Sequence, residues 1–163
     1  MAFDFDGKCA VVTGASRGIG EAIARQLDRG GARVALVARS ADRLEAIAAD
    51  LVNDPLVITA DLSEHESIEQ ISTAVLAAFG GLDILVNNAG MGSSANPKPV
   101  VDYDDAFWNM LLHVNLTVPY LFSKKALPSM IGRKYGRIIM TASVNGKVGL
   151  LHGAAYAASK HGV

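Results

Sequence analysis

The chain has little cysteine: Cys9 is the only one in 163 residues, so no disulfide can form within it. Its apolar setting, CAVV, suits a small core residue. Charge of one sign is also missing. Fifteen Lys and Arg face sixteen Asp and Glu, with no basic run, which excludes a polyanion binder that works by charge. No apolar run is long enough to span a membrane. The N-terminal MAFDFDGK lacks the apolar stretch of a signal peptide, so a cytoplasmic protein is expected, with no nucleic-acid or membrane partner. His65, His113 and His161 lack metal-ligand spacing with any cysteine or carboxylate cluster, so no metal site is expected. There is no internal repeat, low-complexity tract or linker. Half of the residues are apolar, and the length corresponds to one domain with a real core.

Short apolar runs alternate with helical patterns. The runs are CAVVT, RVALVA, PLVITA, LDILVN and GRIIMTA. Each lacks in/out alternation, as strands buried on both faces do. Helical stretches lie at residues 19–30, 41–53, 65–79 and, in one long run, 104–133. The alternation predicts an α/β fold: a doubly wound, Rossmann-type parallel sheet in the order 3-2-1-4-5, with helices on both faces. Ser40 and Ser63 stand where N-caps are wanted, and Glu66 after Ser63 reads as a capping box. Gly30-Gly31 and Gly80-Gly81 read as helix ends. Residues 90–100, GMGSSANPKPV, read as a long flexible loop.

TGASRGIG (13–20) follows the first strand and opens the first helix. Gly14 permits the tight turn, Gly18 leaves room for a pyrophosphate, and Gly20 lets helix and sheet approach. Phosphates would meet free N–H groups at the positive helix end. A glycine triplet alone is equally a tight turn, but its placement favours a nucleotide. NNAG (87–90) follows the fourth strand, beside the first. Asn87 would tie neighbouring strands, and Asn88, Ala89 and Gly90 would line the cofactor. An acid after the second strand would favour NAD. Ala38 stands there instead, followed by Arg39 and Ser40, with Arg17 inside the glycine turn. Unless these arginines are solvated surface charges, they suit a 2′-phosphate, so NADP(H) is expected over NAD(H). Asp61 either reaches the adenine ring or serves as a helix N-terminal acid.

Tyr156 and Lys160 lie one helical turn apart in YAASK, and so share a face. Reduction of a ketone needs a hydride and a proton for the developing alkoxide. At about 5 Å and an effective dielectric near 20, the Lys160 charge favours the phenolate by roughly 3 kcal/mol. Ser143, after the fifth strand, would hold the substrate oxygen. Pro119 has no N–H for the Asn115 carbonyl, so the helix should kink there and leave that carbonyl free for a water near Lys160. The plainer reading of Asn115 is a local bond to backbone. His152 is either a substrate contact or a rim residue. Phe107 and Trp108 read as packing.

With TGASRGIG, NNAG, Asn115 in HVNLT, Ser143 in TASVNG and YAASK in this order, the chain resembles the classical short-chain dehydrogenases/reductases along its whole length. The resemblance implies catalytic Asn115, Ser143, Tyr156 and Lys160. It implies cofactor contacts from Gly14, Ser16, Arg17, Gly18, Ile19, Gly20, Arg39, Ser40, Asp61, Leu62, Asn88, Ala89, Gly90, Tyr156 and Lys160. It also implies a small carbonyl or alcohol substrate and a homo-oligomer, dimer or tetramer. Members run on for several tens of residues past this point, so residues 1–163 read as a single dinucleotide-binding domain from a longer one-domain enzyme. The family's last strands are absent, and the fifth strand becomes an exposed edge. A nucleotide-binding sensor without turnover is the alternative, and an oligomerising remnant a third.

Overall fold

The structure, a computed structural model, describes residues 4–163. Residues 1–3, which open MAFDFDGK, lie outside the described residues. The elements are β1 (Cys9–Thr13), α1 (Gly18–Arg29), β2 (Arg33–Ala38), α2 (Ala41–Ala48), β3 (Leu56–Thr59), α3 (Ser67–Phe79), β4 (Ile84–Asn87), α4 (Asp105–Leu112), a π turn (His113–Thr117), α5 (Val118–Gly132), β5 (Arg137–Met140) and α6 (Ala154–Gly162). The strands form one parallel sheet in the order β3-β2-β1-β4-β5. No helix among the described residues is long and apolar enough to cross a membrane.

Pleating explains the missing alternation. Ala10 and Val12 pack with Ala24 and Leu27 of α1 and Leu44 and Ile47 of α2. Val11, between them, packs on the other face with Ile71 and Val75 of α3 and Phe122 and Ala126 of α5. Both faces of β1, β2 and β4 are therefore covered, and each fully buried Leu or Val contributes about 1.5–3 kcal/mol. The edges are less covered: β3 is half-buried against the expectation of full burial, and β5, expected to become an exposed edge, is largely exposed.

Several boundaries move for local reasons. Helix α2 ends at Ala48 rather than 53, because the buried Asp28 carboxylate captures the N–H groups of Val52 (3.1 Å) and Asn53 (2.9 Å). The expected capping box is not formed. Helix α3 starts at Ser67, and the Ser63 hydroxyl instead donates to Asp61 Oδ1 (2.8 Å). Ser40 precedes α2 as its N-cap without a side-chain capping bond. Gly80 ends α3 at φ 71°, as expected, whereas after α1 the left-handed residue is Gly31 (φ 95°) and not Gly30 (φ −85°). The long helical run is broken into α4, the π turn and α5. Pro119 lies at the start of α5, just after the turn in which the Val118 N–H bonds the His113 carbonyl. The interruption expected from Pro119 thus takes the form of a π turn.

Candidate active site

Four loops leave the C-terminal ends of β1, β2, β3 and β4 on the same side of the sheet, as parallel strands require. The glycine turn and the NNAG loop touch backbone to backbone. A Cβ on Gly14 would sit 2.9 Å from Ala89 Cα, and one on Gly20 would sit 2.2 Å from the Gly14 carbonyl oxygen. Gly14 also holds φ 67°, which favours glycine. Thr13 Oγ1 accepts from the N–H groups of Asn88 and Ala89, both at 3.0 Å, and donates to the Val86 carbonyl at 3.2 Å. Asn88 Nδ2 donates to the Thr13 carbonyl at 3.0 Å. Asn88 and Thr13 thus tie the loop after β4 to the end of β1. Asn87 reaches only the Met140 sulfur, at 3.4 Å, and its buried Oδ1 has no hydrogen-bond partner among the described residues.

These loops enclose a cleft of about 820 Å³. From the glycine turn it is lined by Gly14, Ser16, Arg17, Gly18 and Ile19. From the loops after β2, β3 and β4 come Arg39 and Ser40, Asp61 and Leu62, and Asn88, Ala89 and Gly90. Gly20 lies behind the turn as its packing partner. Arg43, Met91, Met110 and Val114 also line the cleft and went unread in the sequence. Arg43 follows Arg39 by four residues, and Val114 follows Met110 by four. That spacing is a usable signal only once the cleft side of α2 and of the π turn is known.

The cleft presents positive potential at one end. Helix α1 starts there at Gly18, with Arg17 as an extended N-cap and no side chain capping its first turn. Those free N–H groups suit an anion. Gly18 has open space where a Cβ would stand. Arg17 and Arg43 make no ion pair among the described residues, while Arg39 lies 3.7 Å from Asp61. Asp61 is not the first-turn acid of a helix. Its carboxylate accepts from the Ser63 N–H (2.9 Å) and hydroxyl. The Ser63 backbone bond, then the Ser63 hydroxyl and Arg39, hold its carboxyl below the usual carboxylate range.

Beyond Gly90 lies the second half of the site. Lys160 is buried, and its Nζ donates to the Thr141 carbonyl at 2.6 Å. It stands 5.8 Å from the centre of the Tyr156 ring. Burial pushes the Lys160 ammonium below its ordinary pKa. Tyr156 packs on Phe107, Leu111 and Ala155, and its hydroxyl makes no hydrogen bond among the described residues. The Ser143 hydroxyl oxygen accepts from the Asn145 N–H at 3.2 Å, so its proton remains free to be donated. Gly146 lets this loop rest on α6, since a Cβ there would come 2.5 Å from the Lys160 carbonyl oxygen. A Cβ on Gly90 would lie 3.2 Å from Asn115 Oδ1 and 3.8 Å from Lys160 Nζ, which sets both at the end of the cleft.

The side chain of Asn115 departs from the local backbone bond expected of it. Its buried side chain bonds backbone, but not locally: Oδ1 accepts from the Met91 N–H (2.7 Å), and Nδ2 donates to the Met91 carbonyl (2.9 Å) and to Ser159 Oγ (3.1 Å). His152 is exposed at φ 57° in the loop before α6. His65 and His113 stack edge to face at 5.1 Å. No group of three potential metal ligands occurs among the described residues.

Known proteins resemble this chain in sequence and fold. Residues 8–163 match the short chain dehydrogenase family. The chain is 38% identical to the 3-oxoacyl-(acyl-carrier-protein) reductase FabG of Escherichia coli strain K12, over 98% of this chain and 64% of that protein. It is 38% identical to a dehydrogenase/reductase SDR family protein 7-like of Anopheles gambiae, over 96% of this chain and 51% of that protein. A crystal structure of a metagenomic short-chain oxidoreductase in complex with NADP superposes with a TM-score of 0.88 at 45% identity. That match covers 97% of this chain and 72% of the other. The chain thus spans about half to two-thirds of the length of these two relatives. With a parallel 3-2-1-4-5 sheet, the glycine turn against NNAG and an almost end-to-end match, the chain belongs to the short chain dehydrogenase family.

Proposed function

We propose that residues 1–163 form one dinucleotide-binding domain, part of a longer one-domain enzyme that transfers a hydride between NADP(H) and a carbonyl or secondary alcohol. The observation that carries this reading is Gly90, which lines the cleft and whose Cβ position lies 3.8 Å from Lys160 Nζ. The residues present fit the cofactor: an uncapped helix start, open space at Gly18, Arg17, Arg39 and Arg43 at one end, and no acid at Ala38. The NADP complex of a relative 45% identical supports the same choice.

When bound, NADPH supplies the hydride. The glycine turn and the start of α1 would hold its phosphates, and the arginines would hold the 2′-phosphate. Tyr156 gives its hydroxyl proton to the alkoxide in reduction and takes it back in oxidation. Lys160, fixed by Thr141, holds its ammonium 5.8 Å from the centre of the Tyr156 ring. Ser143 donates its free proton to the substrate oxygen and stabilises charge building there. Asn115 holds Met91 and α6 in place. We place the enzyme in the cytoplasm as a homo-oligomer, with a small-molecule substrate.

The test is Tyr156→Phe, measured by NADPH fluorescence and by NADPH oxidation on a carbonyl panel. Retained binding with turnover lost by roughly 100-fold or more supports the enzyme. NADPH binding without turnover in the unaltered chain assigns a nucleotide-binding module instead.

A further inference from the structure

Ser159 has no part in the chemistry above, yet it is fully buried between two residues that do. Its hydroxyl donates to the Tyr156 carbonyl at 2.8 Å, and its oxygen accepts from Asn115 Nδ2 at 3.1 Å. The directions are determined by the partners. The Met91 N–H needs an acceptor, so Asn115 Oδ1 must face it, and Nδ2 is left to give one proton to the Met91 carbonyl and one to Ser159. Ser159 then has one proton left, and the Tyr156 carbonyl is its acceptor. Every donor on Asn115 Nδ2 and Ser159 Oγ is used once.

This chain of bonds joins the loop after β4 to the turn of α6 that carries both Tyr156 and Lys160. The Tyr156 carbonyl lies within the very turn that separates the phenol from the ammonium. A serine bonded to the carbonyl three or four residues back also bends a helix slightly, so Ser159 acts on the backbone geometry between them.

We propose that Ser159 is a positioning residue, a hydroxyl relay through which Asn115 clamps the Tyr156–Lys160 turn against the loop at Met91. This rests on the Tyr156–Lys160 reading above, but its test reads a different quantity.

The test uses the chain itself with 13C-labelled lysine, following the Lys160 Cε resonance with pH, assigned by its loss in Lys160→Met. In Ser159→Ala the turn loosens and Lys160 gains water, so its titration midpoint moves up toward 10.5, the value from which burial lowers it. Ser159→Thr, which keeps the hydroxyl, restores the original midpoint. Where turnover is measurable, Ser159→Ala lowers kcat by roughly tenfold to a hundredfold and leaves NADPH affinity within about twofold. Should Ser159→Ala fail to fold, Ser159→Cys, nearly isosteric and a weak donor, takes its place. An unmoved Lys160 midpoint in the folded alanine or cysteine variant overturns the proposal, as does a threonine variant no closer to the original than alanine. If Tyr156→Phe retains turnover while the Lys160 midpoint still responds to Ser159, it is the enzymatic reading that fails and the clamp that stands.

Discussion

Lys160 Nζ and the Thr141 carbonyl oxygen are 2.6 Å apart, and this bond joins α6 to the segment just past β5. The ammonium is thereby held inside the protein, where burial lowers its pKa from 10.5. Below the folded-state pKa, both folded and unfolded chains carry the charge, and the folded one bears the desolvation cost. As pH rises from the folded value to 10.5, the folded chain releases this proton first, so the unfolded chain binds more protons and stability rises. The urea midpoint of the unaltered chain should therefore climb through this alkaline window relative to that of Lys160→Met. Parallel pH curves for the two proteins would refute the assignment.

Cofactor choice should follow the arginines. Arg17→Ala or Arg43→Ala removes a charge-assisted contact worth about 1.5–3 kcal/mol, roughly ten- to a hundredfold in NADPH affinity. NADH affinity should barely change. Ala38→Asp should repel the 2′-phosphate and raise the ratio of NADH to NADPH binding. Fluorescence titration of both nucleotides reads each outcome, and equal losses for the two would remove the arginines from the 2′-phosphate.

The glycines of the turn should differ sharply on replacement. Gly20→Ala would force a Cβ to 2.2 Å from the Gly14 carbonyl oxygen, and overpacking of this kind costs about 1–3 kcal/mol. Gly18→Ala meets open space and carries only the cost of φ 58°, about 1–2 kcal/mol. The first should disturb nucleotide binding through the displaced turn. The second should block the cleft and leave the melting temperature less affected. Thermal unfolding with and without NADPH separates them.

Asp83 is a further structural joint. Its carboxylate accepts from the Cys9 N–H at 2.9 Å and from Arg133 at 2.6 Å, so it links β1, the start of β4 and the residue just after α5. Its proximity also helps burial push the Cys9 thiol above its ordinary pKa. Asp83→Ala leaves the buried Cys9 N–H without its acceptor and the Arg133 guanidinium with the Leu82 carbonyl alone, at a cost of about 1–3 kcal/mol. Arg133→Met should cost less, because Arg133 is partly exposed. Chemical denaturation checks the order.

Much of this architecture is legible locally. The apolar runs and their alternation with helices suffice for a parallel sheet covered on both faces, because such strands leave a simple signature, and the order follows from the doubly wound class that the glycine turn indicates. The same holds for the pair Tyr156 and Lys160, since one helical turn is a fixed distance. The contents of the cleft are largely readable too, because phosphate-binding loops are defined by backbone constraints that glycine reveals.

What the tertiary structure decided are the relations between distant segments. Asn115 is a clamp on Met91 and Ser159, because only packing brings a π turn, a loop and α6 together. Asp28 ends α2 by taking two N–H groups more than twenty residues away, which no helix propensity anticipates. Arg43 and Met110 join the cleft because helix rotation about its axis is set by the core and not by the helix's own sequence. Local sequence determines which elements form and where the backbone must be free; long-range contacts decide which polar groups find one another, since a buried donor takes whatever acceptor the fold carries to it.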